Sequence, residues 1–333
     1  MSTPIPYVTL DDPHYGEVVQ VSPLIQRVIA KNPSKFTYLG TGTYIVGTGE
    51  RVAVIDPGPP IQSHRTALLA ALEGRTVAAI LVTHCHSDHS PLAAWLKEET
   101  GAPTVAFGPH KVNLDWVDDD TDPHEPDPED EAAAAAVAEE GDEKVEESLD
   151  LDFTADVAVA DGALAAELPG CTLRAIHTPG HTSNHLCFWL EEEQALFSGD
   201  HIMGWSTTVI TPPDGDMRSY FESLHKVAAL PAAVIWPTHG APVLEARPFI
   251  DAFVAHRLER EAGVLAAVRD GVALVPDIVR RLYVGVPEKL YRAAGRSVLS
   301  HLIKLAQDGL VQHEGQRPGV KRSEERRVGK ECF

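Results

Sequence analysis

Between Val77 and His89 the chain runs from an apolar stretch directly into Thr83-His84-Cys85-His86-Ser87-Asp88-His89, and this junction constrains the fold more than any other feature. Val77–Val82 reads as a buried strand. Three imidazoles and a carboxylate then fall within six residues. These are the ligand types of zinc and neighbouring divalent ions. Three more apolar runs end in the same way. His181 lies in Thr178-Pro179-Gly180-His181-Thr182 after Leu173–Ile176, and Asp200 closes Phe197-Ser198-Gly199-Asp200. His239 lies in Pro237-Thr238-His239-Gly240 after Ala233–Trp236. Each has a glycine beside it, where backbone can approach a ligand closely. Four strand ends carrying the same kind of content imply one shared sheet edge.

The remaining pattern agrees with a layered α/β core. Strands are expected at Thr43–Val46, Arg51–Ile55, Thr104–Phe107, His185–Leu190 and Ala195–Phe197. Helices are expected at Ile61–Leu72 and Pro91–Glu99, from apolar residues at i, i+3, i+4 spacing, and at about Ser219–Leu230. With 333 residues, 44% of them hydrophobic and 23% charged, the chain is long enough for about two domains. No apolar run approaches the roughly 18 residues of a spanning helix, so no membrane association is expected. The start, MSTPIPYVTL, has neither the basic nor the apolar region of a secretory signal. Cys85, Cys171, Cys187 and Cys332 show no paired spacing, which fits a reducing cytoplasm.

Charge divides the chain. The formal net charge is −21, and residues 111–152 alone hold 18 acidic and 2 basic side chains. This segment, with DDDTDPHEPDPEDE at its centre, repels itself and is expected to be a solvated, mobile insert rather than an acidic lid. From residue 247 onward the balance turns to 16 basic against 11 acidic residues. Helical patterns at Pro248–Arg269, Pro276–Tyr283 and Glu288–Ala306, followed by a turn and a short strand near Gly309-Leu310-Val311, outline a winged helix over residues 247–322. Residues 1–246 then form the first domain. Ser323–Phe333 has no apolar period and is read as a non-native tail outside the fold.

The order H-x-H-x-D-H, His, Asp, His resembles the metallo-β-lactamase superfamily, over about Phe36 to Pro242. The resemblance implies an αββα four-layer sandwich with a dinuclear metal site, zinc being the expected metal. His84, His86 and His181 would hold one divalent ion, Asp88, His89 and His239 the second, and Asp200 would bridge them. Asp56, in Ile55-Asp56-Pro57-Gly58, is similar to the aspartate that orients a ligating histidine. His185 is similar to a supporting histidine of many members and joins Asp88 as a candidate catalytic residue. Removing residues 111–152 from the interval between His84 and His181 restores an ordinary spacing for the family.

The resemblance implies a hydrolase in which two ions share a water, lower its pKa and present hydroxide to an ester, thioester or phosphodiester. His86 disfavours the flavin-linked di-iron branch, and a bridging Asp200 argues against true β-lactamase activity. The C-terminal outline is similar to the β-lactamase-like-protein-2 group, some of whose members cut single-stranded RNA. The substrate is therefore expected to be a small ester or thioester, or single-stranded RNA. Other classes left open are a mono-iron sulfur dioxygenase and a winged-helix nucleic-acid-binding protein, the latter using Lys289, Arg292, Arg296 and Lys304. Arg257 and Glu261 are read as an i, i+4 ion pair.

Overall fold

The computed structural model describes residues 4–111, 149–150, 152–313 and 328–329. Strands β1 (Val19–Gln20), β2 (Ile25–Ile29), β3 (Gly42–Val46), β4 (Arg51–Ile55), β5 (Thr76–Leu81), β6 (Thr104–Ala106) and β7 (Val157–Ala158) lie side by side in that order in one sheet. A second sheet, ordered β12-β11-β10-β9-β8, is built from β8 (Leu164–Leu168), β9 (Cys171–His177), β10 (Leu186–Leu190), β11 (Ala195–Gly199) and β12 (Val234–Pro237). Helix α1 (Gln62–Leu72) joins β4 to its parallel neighbour β5, and α2 (Leu92–Thr100) joins β5 to the parallel β6. Helix α3 (Met217–Ala228) makes the same kind of connection from β11 to the parallel β12.

Side-chain alternation decides the layers. On β10, Leu186, Phe188 and Leu190 enter the core between the sheets, whereas Cys187 and Trp189 enter the core under α3. On β3, Tyr44 and Val46 face the second sheet, and Ile45 faces α1 and α2. Successive strand residues point to opposite faces. Because both faces of these strands are covered, they read as unbroken apolar runs. The result is helix, sheet, sheet, helix, the four-layer sandwich.

Helix α4 (Ala246–Arg269) belongs to two cores. Phe249, Ile250 and Phe253 pack with α3 and the second sheet, while Val264, Ala267 and Val268 pack with α5 (Val275–Leu282) and α6 (Tyr291–Gln307). The expectation of a helix over Glu288–Ala306 divides into a 3₁₀ turn, Glu288–Leu290, and then α6. The last two strands, β13 (Gln312–His313) and β14 (Val328–Gly329), pair antiparallel. Val328–Gly329, within the stretch expected to lie outside the fold, thus supply one strand of this pair.

The expected acidic insert lies, for residues 112–148 and Leu151, outside the described residues. The chain leaves with the Lys111 amide donating to Ser183 Oγ at 2.8 Å. It returns at Leu149, which bridges to His86, and at Asp150, whose amide donates to the Cys85 carbonyl at 2.7 Å.

Candidate metal centre

Every motif residue lies just past the carboxyl end of a strand. Asp56 follows β4, the loop His84–His89 follows β5, His181 follows β9, Asp200 follows β11 and His239 follows β12. Parallel pairing of β4 with β5 and of β11 with β12 brings these ends to one edge of the sandwich. The side chains converge in three sets whose ligand atoms lie within 4.8 Å of one another: His84, His86 and His181; Asp88, His89 and His239; and His84, His89 and Asp200.

In the first set, His84 Nε2 is 2.9 Å from His86 Nδ1, which is 3.1 Å from His181 Nε2. In the second, Asp88 Oδ2 is 3.3 Å from His89 Nε2 and 3.2 Å from His239 Nε2. Asp200 reaches both sets, with Oδ2 3.7 Å from His89 Nε2 and 3.9 Å from His181 Nε2, and Oδ1 3.4 Å from His239 Nε2. All seven side chains point inward, and four of the imidazoles are held by their other nitrogen. His89 Nδ1–H donates to Asp56 Oδ2 at 2.9 Å, and His181 Nδ1–H donates to the Val209 carbonyl at 2.7 Å. His239 Nδ1–H donates to the Gly40 carbonyl at 3.1 Å, and His84 Nδ1–H donates to Thr83 Oγ1 at 3.0 Å. Such bonds fix the tautomer and aim the remaining lone pair.

The donor set fits divalent ions. His89 Nε2 and Asp200 Oδ1 are buried without a hydrogen-bond partner, which is costly unless something else satisfies them. Crowded nitrogens also need a cation or a proton between them. Burial, with His89 and His86 nearby, holds His84 well below the ordinary histidine value. Burial, then His181, lowers His86 to about 3. On the other side burial works against ionisation and loses. The carboxylates of Asp88, Asp200 and Asp56 hold His89 well above the histidine value, and Asp200 with Asp88 lifts His239 to about 10. Asp88 and Asp200 are depressed in turn against the cost of burial, chiefly by His89 and His239. One half of the centre therefore offers neutral imidazoles, and the other offers carboxylates beside protonated imidazoles whose protons an ion would displace.

Asp56 is central to this arrangement. Besides holding His89, its carboxylate accepts from the Thr83 amide and Thr83 Oγ1, both at 2.8 Å, and from Thr238 Oγ1 at 3.1 Å. It ties the strand end carrying His84 to the one carrying His239. His185 is placed differently from a group that meets substrate. It is fully buried, its Nδ1–H pairs with Thr178 Oγ1 at 2.9 Å, and its Nε2 accepts from the Asp200 amide at 3.2 Å. It supports the backbone of Asp200. Cys85 turns away toward Asn184 and His110, and burial pushes its thiol up to about 11.

Several neighbours have no sequence signal of the usual kind. A narrow opening to His181 and Asp200 is lined by Lys35, Phe36, Met203, Trp205 and Val209. Trp205 stacks on Tyr38 with ring centroids 5.0 Å apart. Arg257 does not pair with Glu261. Its guanidinium donates to the Thr208 carbonyl, and Glu261 instead accepts from Lys304 at 2.9 Å and faces His301. Arg257 falls on the buried stripe Phe249, Ile250, Phe253, and that spacing was the available clue. Lys304, expected on a basic nucleic-acid face, is engaged by Glu261 and Asp308. Among the described residues no helix is long and apolar enough to cross a membrane. Cys85, Cys171 and Cys187 are free, and Cys332 lies outside the described residues.

Residues 39–239 match the Metallo-beta-lactamase superfamily, and residues 275–321 match the Beta-lactamase associated winged helix domain. The chain is 31% identical over 304 residues to a Beta-lactamase-like protein 2 homolog of Caenorhabditis elegans, covering 90% of each. It is 30% identical over 321 residues to an Atrochrysone carboxyl ACP thioesterase of Aspergillus chevalieri, covering 93% of this chain and 89% of that one. A crystal structure of a Beta-lactamase domain protein from Burkholderia ambifaria superposes with a TM-score of 0.71 at 20% identity, over 97% of this chain and 96% of that one. The chain belongs to the metallo-β-lactamase superfamily and is a metallo-hydrolase.

Proposed function

We propose, from membership of that superfamily as the premise, that this enzyme hydrolyses a thioester of a small acyl group at a pair of divalent ions, zinc being the expected pair. One observation carries the reading: two separate ligand sets converge on one edge, and a single carboxylate, Asp200, reaches into both. A lone structural zinc uses four ligands and leaves nothing open, whereas seven converging side chains provide for two ions. His84, His86 and His181 would hold the first, Asp88, His89 and His239 the second, with Asp200 between them. When bound, such a pair lowers the pKa of water from about 15.7 toward 7 and polarises a carbonyl oxygen.

The chain's own groups do the rest. Asp56 keeps the His89 proton on Nδ1, so that Nε2 faces the centre. Asp88, held by Thr41 Oγ1 at 3.0 Å, would accept a hydrogen bond from an attacking water and orient it. Phe36, Met203 and Trp205 form an apolar wall at the opening that suits an acyl chain, and the Lys35 ammonium beside them suits an anionic carrier of the thiol. The thioesterase named among the relatives supports the acyl-thioester reading over a phosphodiester.

The test is metal quantification on zinc-loaded protein beside a turnover screen with an acyl-pantetheine thioester, a carboxylate ester, a phosphodiester and single-stranded RNA. About two ions per chain and turnover on the thioester are expected. One ion per chain, or turnover confined to the phosphodiester or RNA, would overturn the reading.

A further inference from the structure

We propose that the C-terminal helices brace the metal centre: Arg257 and Ser300 act as positioning residues that hold the loop whose Val209 carbonyl orients His181. The inference rests on the metal-centre reading above. It concerns a different part of the chain.

Asp200 to Asp216 connects β11 to α3 without helix or strand. Irregular connections of this length are uncommon in compact domains and need outside contacts to hold one shape. Within the first domain the loop is held near its start and at its end, where Asp214 Oδ1 accepts from the Ser183 amide and the Asp216 amide donates to the Gly180 carbonyl, both at 2.9 Å. Tyr220 Oη donates to the His201 carbonyl at 2.9 Å, and Thr208 Oγ1 donates to the same carbonyl at 3.0 Å. Beyond that point three consecutive carbonyls are each engaged by a side chain. Thr208 accepts from the Arg257 guanidinium of α4, and Ile210 accepts from Ser300 Oγ of α6 at 2.6 Å. Between them Val209 accepts from His181 Nδ1 at 2.7 Å. The two outer carbonyls are fixed from the C-terminal helices, and the middle one sets the ring of a proposed ligand.

Both donors are built into the interior. Arg257 is 4% exposed and Ser300 is 2% exposed. The guanidinium also lies over the Tyr220 ring, 5.4 Å from its centroid. A buried guanidinium on an otherwise apolar helix stripe is expensive without a geometric task, and the contact with Thr208 supplies one. Val209 further lines the opening to the centre, so the same contacts shape the entrance. The winged-helix region is on this account part of the hydrolytic machinery rather than an appended reader of nucleic acid.

General loosening of the two domains is the competing explanation, and one contact separates it. Arg218 of α3 pairs with Asp308 at 2.6 Å, joining the same two regions without touching the loop. Protein stripped with chelator is titrated with Zn2+ and with Co2+, and turnover is measured on the active substrate. In Ser300→Ala and Arg257→Ala, one of the two ion equivalents should bind about 10-fold more weakly. The Co2+ visible spectrum should shift, and kcat should fall with KM unchanged. Arg257→Lys, which keeps a donor, should recover part of the loss. Arg218→Ala should bind both ions as wild type does. Should Arg257→Ala fail to fold, Ser300→Ala and Arg257→Lys carry the test. Wild-type ion affinity and spectrum in Ser300→Ala and the Arg257 variants would overturn the brace while leaving the centre standing, as would an equal loss in Arg218→Ala. A wild-type protein that binds no ion would overturn the centre and the brace together.

Discussion

At Asp56 one carboxylate accepts from two strand ends and a ligand ring, and it does so from backbone with φ of 48°. Aspartate tolerates that left-handed conformation better than most residues. Asp56→Ala would leave Thr83, Thr238 and His89 with buried unmet donors, each costing about 1–3 kcal/mol. We expect metal affinity or activity to fall by about 10–100-fold, with a lower melting temperature even without metal. Isothermal titration and calorimetric melting check this, and an Asp56→Ala protein with normal affinity would show that His89 orients itself. A second expectation follows from the charges. In the metal-free protein His239, raised to about 10, and His89, raised as well, are protonated at neutral pH. Their stabilisation is complete below the unfolded histidine value near 6.5 and is lost as pH rises through about 10. That of the depressed Asp88 and Asp200 is present above about 3.9 and is lost as pH falls. The lowered His84, His86 and His185 act in the opposite sense, since their unfolded imidazoles protonate first and stability is lost as pH falls below about 6.5. Metal-free protein should therefore melt highest near about pH 6.5 and progressively lower toward both acid and pH 10. Ion uptake at pH 7 should release about two protons, seen as a dependence of the binding heat on buffer ionisation. Uptake without proton release would contradict the assignment of His89 and His239.

At the scale of elements, glycine positions show how tightly the strand ends interlock. Gly199, at the end of β11, has φ of 52°, and a Cβ there would come within 2.7 Å of His185 Nε2 and 2.9 Å of Thr83 Cβ. Gly199→Ala should thus cost about 1–3 kcal/mol by overpacking alone, and it should displace both supports of the centre. Urea unfolding beside metal titration measures the two effects, and unchanged metal affinity would show that Asp200 adjusts independently of β11. Much of this level was legible in the sequence. The buried strands β3, β4, β5, β10 and β11 stood out because both faces are covered and the runs are apolar throughout. β2 was hidden by Gln26 and Arg27, the latter buried to donate to the Gly240 carbonyl at 3.1 Å, and β8 by its alanines. The motif residues were legible because ligand chemistry admits few residue types. Arg257, Ser300 and Val209 were not, because their parts depend on carbonyls and on a distant loop, and a carbonyl has no letter.

The whole molecule turns on α4. A chain ending at residue 246 would discard Phe249, Ile250 and Phe253, all buried against the second sheet. Each buried Phe is worth about 3–5 kcal/mol when truncated, and whole domains are stable by only about 5–15 kcal/mol. Such a chain should aggregate or lose cooperative melting, as circular dichroism would show; a well-folded product would mean that the first domain closes its core without the helix. The family match to the winged helix begins only at residue 275, past the end of α4. Between the two, 24 residues of helix form a rod of about 36 Å that neither part owns. In terms of inheritance, a cut where the family boundary falls keeps the rod with the sandwich but strips its far end of cover, and a cut at its start strips the sandwich. Swapping C-terminal parts between relatives should therefore succeed only when the junction lies inside α4, between Phe253 and Val264, with Arg257 travelling alongside the loop it serves.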